Sequence, residues 1–196
     1  MDHSATAARI ASIKEALGNR SIVLVGLMGA GKSSVGRRLA RHLELPFTDA
    51  DVEIEKAAGK TIPEIFADHG EQYFRDGERR VIARLLESGP RVLATGGGAY
   101  MNSETRARVK EHGVSVWLRA PVDLLLKRVS RRSNRPLLQN GNRAEILQRL
   151  MVERHPVYAL ADVVVDSRDA PHEMIVHDII DRLSEYLLME QDSPCQ

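Results

Sequence analysis

Ser21-Ile22-Val23-Leu24-Val25-Gly26-Leu27-Met28-Gly29-Ala30-Gly31-Lys32-Ser33-Ser34 is the stretch that decides the fold. Residues 22–25 form an unbroken apolar run rich in β-branched side chains, the pattern of a strand buried on both faces. Residues 26–33 fit G-x-x-x-x-G-K-[ST]. From Lys32 the period changes: Val35, Leu39 and Leu43 recur at i, i+4, i+8, one face of a helix. Strand, glycine-rich turn and helix is the setting in which this motif binds phosphate. Glycines let successive backbone N–H groups turn inward around phosphate oxygens, and the helix N-terminus adds free donors and positive dipole. Lys32 supplies a point charge to the β/γ-phosphates, and Ser33 offers a hydroxyl to Mg²⁺. Average composition would produce the motif by chance in roughly one chain of this length in 150. Gly29, Ala30, Gly31, Lys32, Ser33 and Ser34 are therefore the expected triphosphate contacts. A dinucleotide fingerprint fails, because Gly29-x-Gly31-x-x-Ser34 lacks its last glycine and encloses Lys32.

Working outward, strands and helices alternate. Strands are expected at 22–25, 45–48, 91–95, 114–118 and 162–165. Helices are expected from 32, at 52–58, 63–68 and 71–88, from 102 or 103 to 113, and at 121–129, 143–154 and 171–187. This is an α/β pattern, a central parallel five-stranded sheet with helices on both faces. Between 130 and 143 the pattern breaks into an arginine- and asparagine-rich polar segment, read as a mobile lid. Ile10, Ile13 and Leu17 mark a short helix, so 1–20 reads as a helical extension, 21–187 as the domain and 188–196 as a frayed tail.

Composition narrows the function. The 196 residues are 43% hydrophobic and 28% charged, which excludes disorder as the main state. Net charge is +1, so bulk charge gives no reason to expect a nucleic-acid partner. No run approaches the 18 apolar residues of a membrane helix, and no membrane partner is expected. The lone Cys195 excludes a disulfide framework within the chain and a multi-cysteine metal site. It suits a reducing cytoplasm, the expected location.

Further residues refine the chemistry. Asp49 and Asp51 follow the second strand, at the carboxyl edge where open α/β sheets bind ligands. At i, i+2 on extended chain they point the same way, one toward Mg²⁺ and one toward a substrate hydroxyl. Three glycines, 96–98, end the third strand and imply a close approach to the backbone. Arg135, in the polar segment, can neutralise charge on a transferring phosphoryl group. Neither Asp-x-x-Gly nor Asn-Lys occurs, which argues against a GTP switch. A small-molecule kinase fits the size.

Taken in order, residues 26–33, Asp49-Ala50-Asp51, 70–75, 96–98, 135–138 and 154–158 resemble the shikimate kinase family over about 21–187. The resemblance implies a P-loop kinase fold and transfer of the ATP γ-phosphate to the 3-hydroxyl of shikimate, toward aromatic amino acids. Lys32 and Ser33 would hold phosphate and Mg²⁺, and Asp49 the Mg²⁺ shell through water. Asp51 would bind the substrate hydroxyls and take the 3-hydroxyl proton. Arg75 and Arg154 would grip the carboxylate, and Gly97 and Gly98 would bring backbone to the ring. Arg135 would reach both substrates, Arg128 would flank adenine, and Arg168 is a candidate base contact. The expected partners are ATP and shikimate alone, with the chain a monomer. Another small-metabolite kinase, for gluconate or a nucleoside monophosphate, is the nearest alternative. An ATP-binding regulatory module is the alternative from another class.

Overall fold

The computed structural model describes residues 3–130 and 142–192. Along the chain run α1 (His3–Leu17), β1 (Ser21–Val25), α2 (Lys32–His42), β2 (Phe47–Asp49), α3 (Ala50–Ala58) and α4 (Ile62–Glu87). Then come β3 (Val92–Ala94), a 3₁₀ turn (Ala99–Met101), α5 (Ser103–His112), β4 (Gly113–Arg119), α6 (Val122–Val129), α7 (Arg143–Tyr158), β5 (Val163–Asp166) and α8 (His172–Asp192).

The five strands form one sheet in the order β2-β3-β1-β4-β5, and every pairing is parallel. The apolar run that opened the argument is its centre: Ile22, Val23, Leu24 and Val25 are fully buried. The register sets the site. Leu24 pairs with Ala94 on one side and Val116 on the other, and Ala94 pairs in turn with Asp49. The glycine-rich loop after β1, the aspartate ending β2 and the glycines after β3 therefore leave the sheet at one level, on one edge. Between β3 and β4 the chain order reverses about β1, the switch point where such sheets bind ligands.

Element boundaries differ from expectation in instructive ways. The helices expected at 63–68 and 71–88 are the two halves of α4, joined at Gly70 with φ 81° and ψ 177°. Thr61 and Glu64 form a reciprocal capping box at the start of α4. The helix expected at 143–154 continues through Pro156 to Tyr158. The buried Tyr158 ring anchors that extra turn. α8 runs to Asp192, past the expected domain end at 187, with Leu188 and Met189 exposed. Most of the expected lid, together with Arg135, lies outside the described residues.

Candidate active site

Gly29 and Gly31 take φ of 85° and 102°, and Gly31 caps α2 with no side-chain acceptor. Both angles lie in the left-handed region open to glycine. A glycine cap offers the first turn of α2 no side-chain oxygen of its own, the setting in which a helix N-terminus meets an anion. The loop and its surroundings line a cavity of about 390 Å³. Gly29, Gly31, Lys32, Ser33, Ser34, Asp49, Asp51, Gly96, Gly97 and Arg128 are all in its wall. Ala30 is buried behind it. The Lys32 ammonium donates to the Gly26 and Leu27 carbonyls at 2.7 and 2.9 Å, which fixes it beneath the loop.

Asp49 and Asp51 share this cavity, but not by strand alternation. Asp49 is the N-cap of α3, and its carboxylate accepts from the Asp51 backbone N–H at 3.2 Å. Asp51 stands in the first helical turn. A helix start, not an extended dipeptide, brings the pair together.

On the acceptor side the cavity adjoins a second hollow lined by Arg75, Glu78, Gly98 and Arg154. Two glycines, Gly96 and Gly98, are needed between the two for space. A Cβ at Gly96 would meet the Glu78 carboxylate at 2.5 Å and Asp51 at 3.0 Å. One at Gly98 would meet the Arg75 guanidinium at 2.6 Å. Arg154 donates to the Gly97 carbonyl at 2.9 Å, and the Tyr158 hydroxyl donates to the same oxygen. Burial pushes the Tyr158 phenol up to about 12, so it remains a donor at neutral pH.

Glu78 is a residue of this hollow that the motifs did not single out. It is 2% exposed and ion-paired to Arg75 at 2.7 Å, with Glu71 holding the other side of the guanidinium at 3.0 Å. Burial raises its pKa and Arg75 opposes the rise. Its second oxygen, Oε1, is buried without a hydrogen-bond partner among the described residues. A signal existed: Glu78 falls on the Phe74–Val81–Leu85 stripe, where an acid is out of place unless paired.

On the opposite flank, Arg128 ties the phosphate loop to the segment before α8. It donates to Ala30 O at 3.2 Å, Ser167 Oγ at 3.0 Å and Arg168 O at 3.0 Å. Arg168 is not brought in: its guanidinium pairs with Asp178 at 2.5 Å and is absent from the cavity wall. The sequence could not show that α8 would supply this partner.

The sequence model of the family described as shikimate kinase matches residues 28–184. The chain belongs to the shikimate kinase family. It is 59% identical over 181 residues to the shikimate kinase of Bradyrhizobium diazoefficiens, covering 92% of this chain and 87% of the relative. It is 56% identical over 184 residues to that of Rhodopseudomonas palustris, covering 94% and 91%. Among solved structures, the shikimate kinase from Acinetobacter baumannii in complex with shikimate superposes with a TM-score of 0.82 at 38% identity. That likeness covers 93% of this chain and 99% of the other. Its fold is thus the P-loop kinase fold of the family, and this family member is a kinase.

Proposed function

We propose that this chain transfers the γ-phosphate of ATP to the 3-hydroxyl of shikimate. One observation carries the acceptor: Arg75 and Arg154 converge on the Gly97–Gly98 strip beside Asp51, at the end of the phosphate cavity. Two guanidinium groups match a carboxylate, and a carboxylate such as Asp51 matches neighbouring hydroxyls. Shikimate carries both on one small ring. Gluconate also has a carboxylate, but as an open chain it does not hold that group at a fixed distance from its hydroxyl. A nucleoside monophosphate would also present an anion to the arginine pair, through its phosphate, so it is the acceptor to compare directly with shikimate.

Each residue then has a task. The loop amides and Lys32 hold the β- and γ-phosphates. Asp51 accepts the 3-hydroxyl proton as the new O–P bond forms and the bond to ADP breaks, in line. Glu78 and Glu71 hold the Arg75 fork in place. Arg135 would neutralise the transferring group.

Ser33 and Asp49 suit Mg²⁺. Among the described residues no cluster of three or more His, Cys, Asp or Glu could cage a metal. A hydroxyl and one carboxylate beside a phosphate loop is the sparse, hard-oxygen set that Mg²⁺ uses with nucleotide phosphates and water. When bound, the ion would offset phosphate charge. All these groups belong to one chain, so the reading requires only a monomer, and the single Cys195 is consistent with the cytoplasm.

Coupled ADP release with ATP and Mg²⁺ tests the reading against shikimate, quinate, gluconate and nucleoside monophosphates. Shikimate-dependent ADP, absent with the others, is expected. ATP binding without a shikimate response would refute the acceptor assignment.

A further inference from the structure

The order of the strands divides the cavity. Asp51 and the Gly96–Gly98 strip follow β2 and β3, on one side of β1. A γ-phosphate aimed at Asp51 leaves the nucleoside to lie on the other side, over the ends of β4 and β5. There the wall is made by Lys127, Arg128, Val129, Asp169, Ala170 and His172.

His172 is the first residue of α8 and is part of that wall. Its Nδ1 is buried and has no hydrogen-bond partner among the described residues. A buried N–H lacking an acceptor costs about 1–3 kcal/mol. A bare buried nitrogen is tolerated more readily than an orphaned N–H, so the favoured tautomer leaves Nδ1 bare and carries its hydrogen on Nε2. Protonating the ring would put a hydrogen back on Nδ1, in the same closed spot. The charged surroundings act in the same direction. Burial first, then Arg38 of α2 and Arg128 of α6, hold the ring below the usual histidine range, with Glu173 of its own helix opposing. Lys127 and Asp169, also in the wall, neutralise each other as a pair at 2.5 Å. Arg168, the base contact expected from sequence, is engaged with Asp178.

We propose that His172 is a nucleotide-binding residue of this enzyme, a neutral imidazole whose Nε2–H donates to the nucleoside half of ATP. The inference rests on ATP as phosphoryl donor. It assigns His172 to nucleoside affinity, separately from the triphosphate held by the loop.

Steady-state kinetics of the full-length enzyme with three substitutions tests it. His172→Ala should raise the KM for ATP about 3- to 10-fold, the worth of one hydrogen bond, with kcat and shikimate KM within about twofold. Glutamine places an amide N–H near the position of Nε2, asparagine near Nδ1. His172→Gln should therefore recover most of the affinity and His172→Asn should not. Tripolyphosphate, which lacks a nucleoside, should inhibit competitively against ATP with the same Ki in every variant. An unchanged ATP KM in His172→Ala overturns the proposal. So does a tripolyphosphate Ki that rises in parallel, or rescue by asparagine in place of glutamine. Wild-type enzyme without ATP-dependent turnover would overturn the functional reading as well. Normal wild-type turnover with an indifferent alanine variant overturns the His172 assignment alone.

Discussion

Glu78 sits where stability and function pull in opposite directions. Its carboxylate aligns Arg75, yet one oxygen is buried without a hydrogen-bond partner among the described residues, and Asp51 adds like charge nearby. A pKa raised in the fold means the folded state favours the protonated form. That contribution is present below the unfolded carboxylate range and is lost as pH rises through the folded value. At neutral pH the ionised group thus weighs against folding. Glu78→Gln should leave the urea midpoint at pH 7 unchanged or higher, and its advantage over wild type should grow as pH climbs from 4 to 7. It should also raise the shikimate KM roughly 10-fold or more, because a charge-assisted bond to Arg75 is lost. A fall in stability with an unaltered shikimate KM would contradict both halves. Asp51→Asn keeps the shape of the hydroxyl-facing group but removes the proton acceptor. Its kcat should drop about 10²-fold or more with little change in ATP KM. A pure ATP KM effect would place Asp51 on the nucleotide instead.

At the scale of the element, α4 is two helices turned against each other at Gly70. Its φ of 81° with ψ of 177° belongs to a region essentially reserved for glycine. Among the described residues a Cβ there would touch nothing within 4 Å, so the constraint is backbone strain and not packing. The bend aims the second half at the glycine strip, with Glu78 against Gly96 and Arg75 against Gly98. Gly70→Ala should cost about 1–3 kcal/mol in chemical denaturation and raise the shikimate KM by shifting Arg75. A variant with wild-type stability would show that the backbone there relaxes freely. These details mark the limits of the sequence. The helix pieces on either side of Gly70 could be read from hydrophobic spacing, and the strands from β-branched runs. The angle between the halves could not, because it depends on dihedrals at a residue with no side chain. Likewise Asp49 and Asp51 were recognisable as a pair from their position after β2. Their true geometry, a helix cap, turns on where the strand stops, which local pattern leaves open by a residue or two. Arg168 and His172 were beyond reach, since each depends on how α8 docks.

For the whole molecule, catalysis and stability occupy opposite ends of the sheet. The site gathers at the carboxyl ends of β1, β2 and β3, whereas α1 delivers the chain to the amino end of β1 at Ser21. α1 lies on α8 and buries Ile13 and Leu17 almost completely, at 1% and 2% exposure. Its ion pairs, Arg9 with Asp181 and Lys14 with Glu44, are largely open to solvent. Pairs of that kind add little. The attachment of α1 is therefore hydrophobic, and a helix lying outside the matched family segment still contributes to the domain's core. Leu17→Ala should remove about 2–5 kcal/mol, a large share of the roughly 5–15 kcal/mol available to a domain. Because Leu17 stands at the far edge from Asp51 and the phosphate loop, kcat and both KM values at 25 °C should stay within about twofold of wild type. The paired measurement is a urea titration beside steady-state kinetics. Loss of activity in folded Leu17→Ala would mean that α1 acts on the site through α8, whose first residue, His172, lines the nucleotide cavity. Loss of stability alone would confine α1 to holding the fold together.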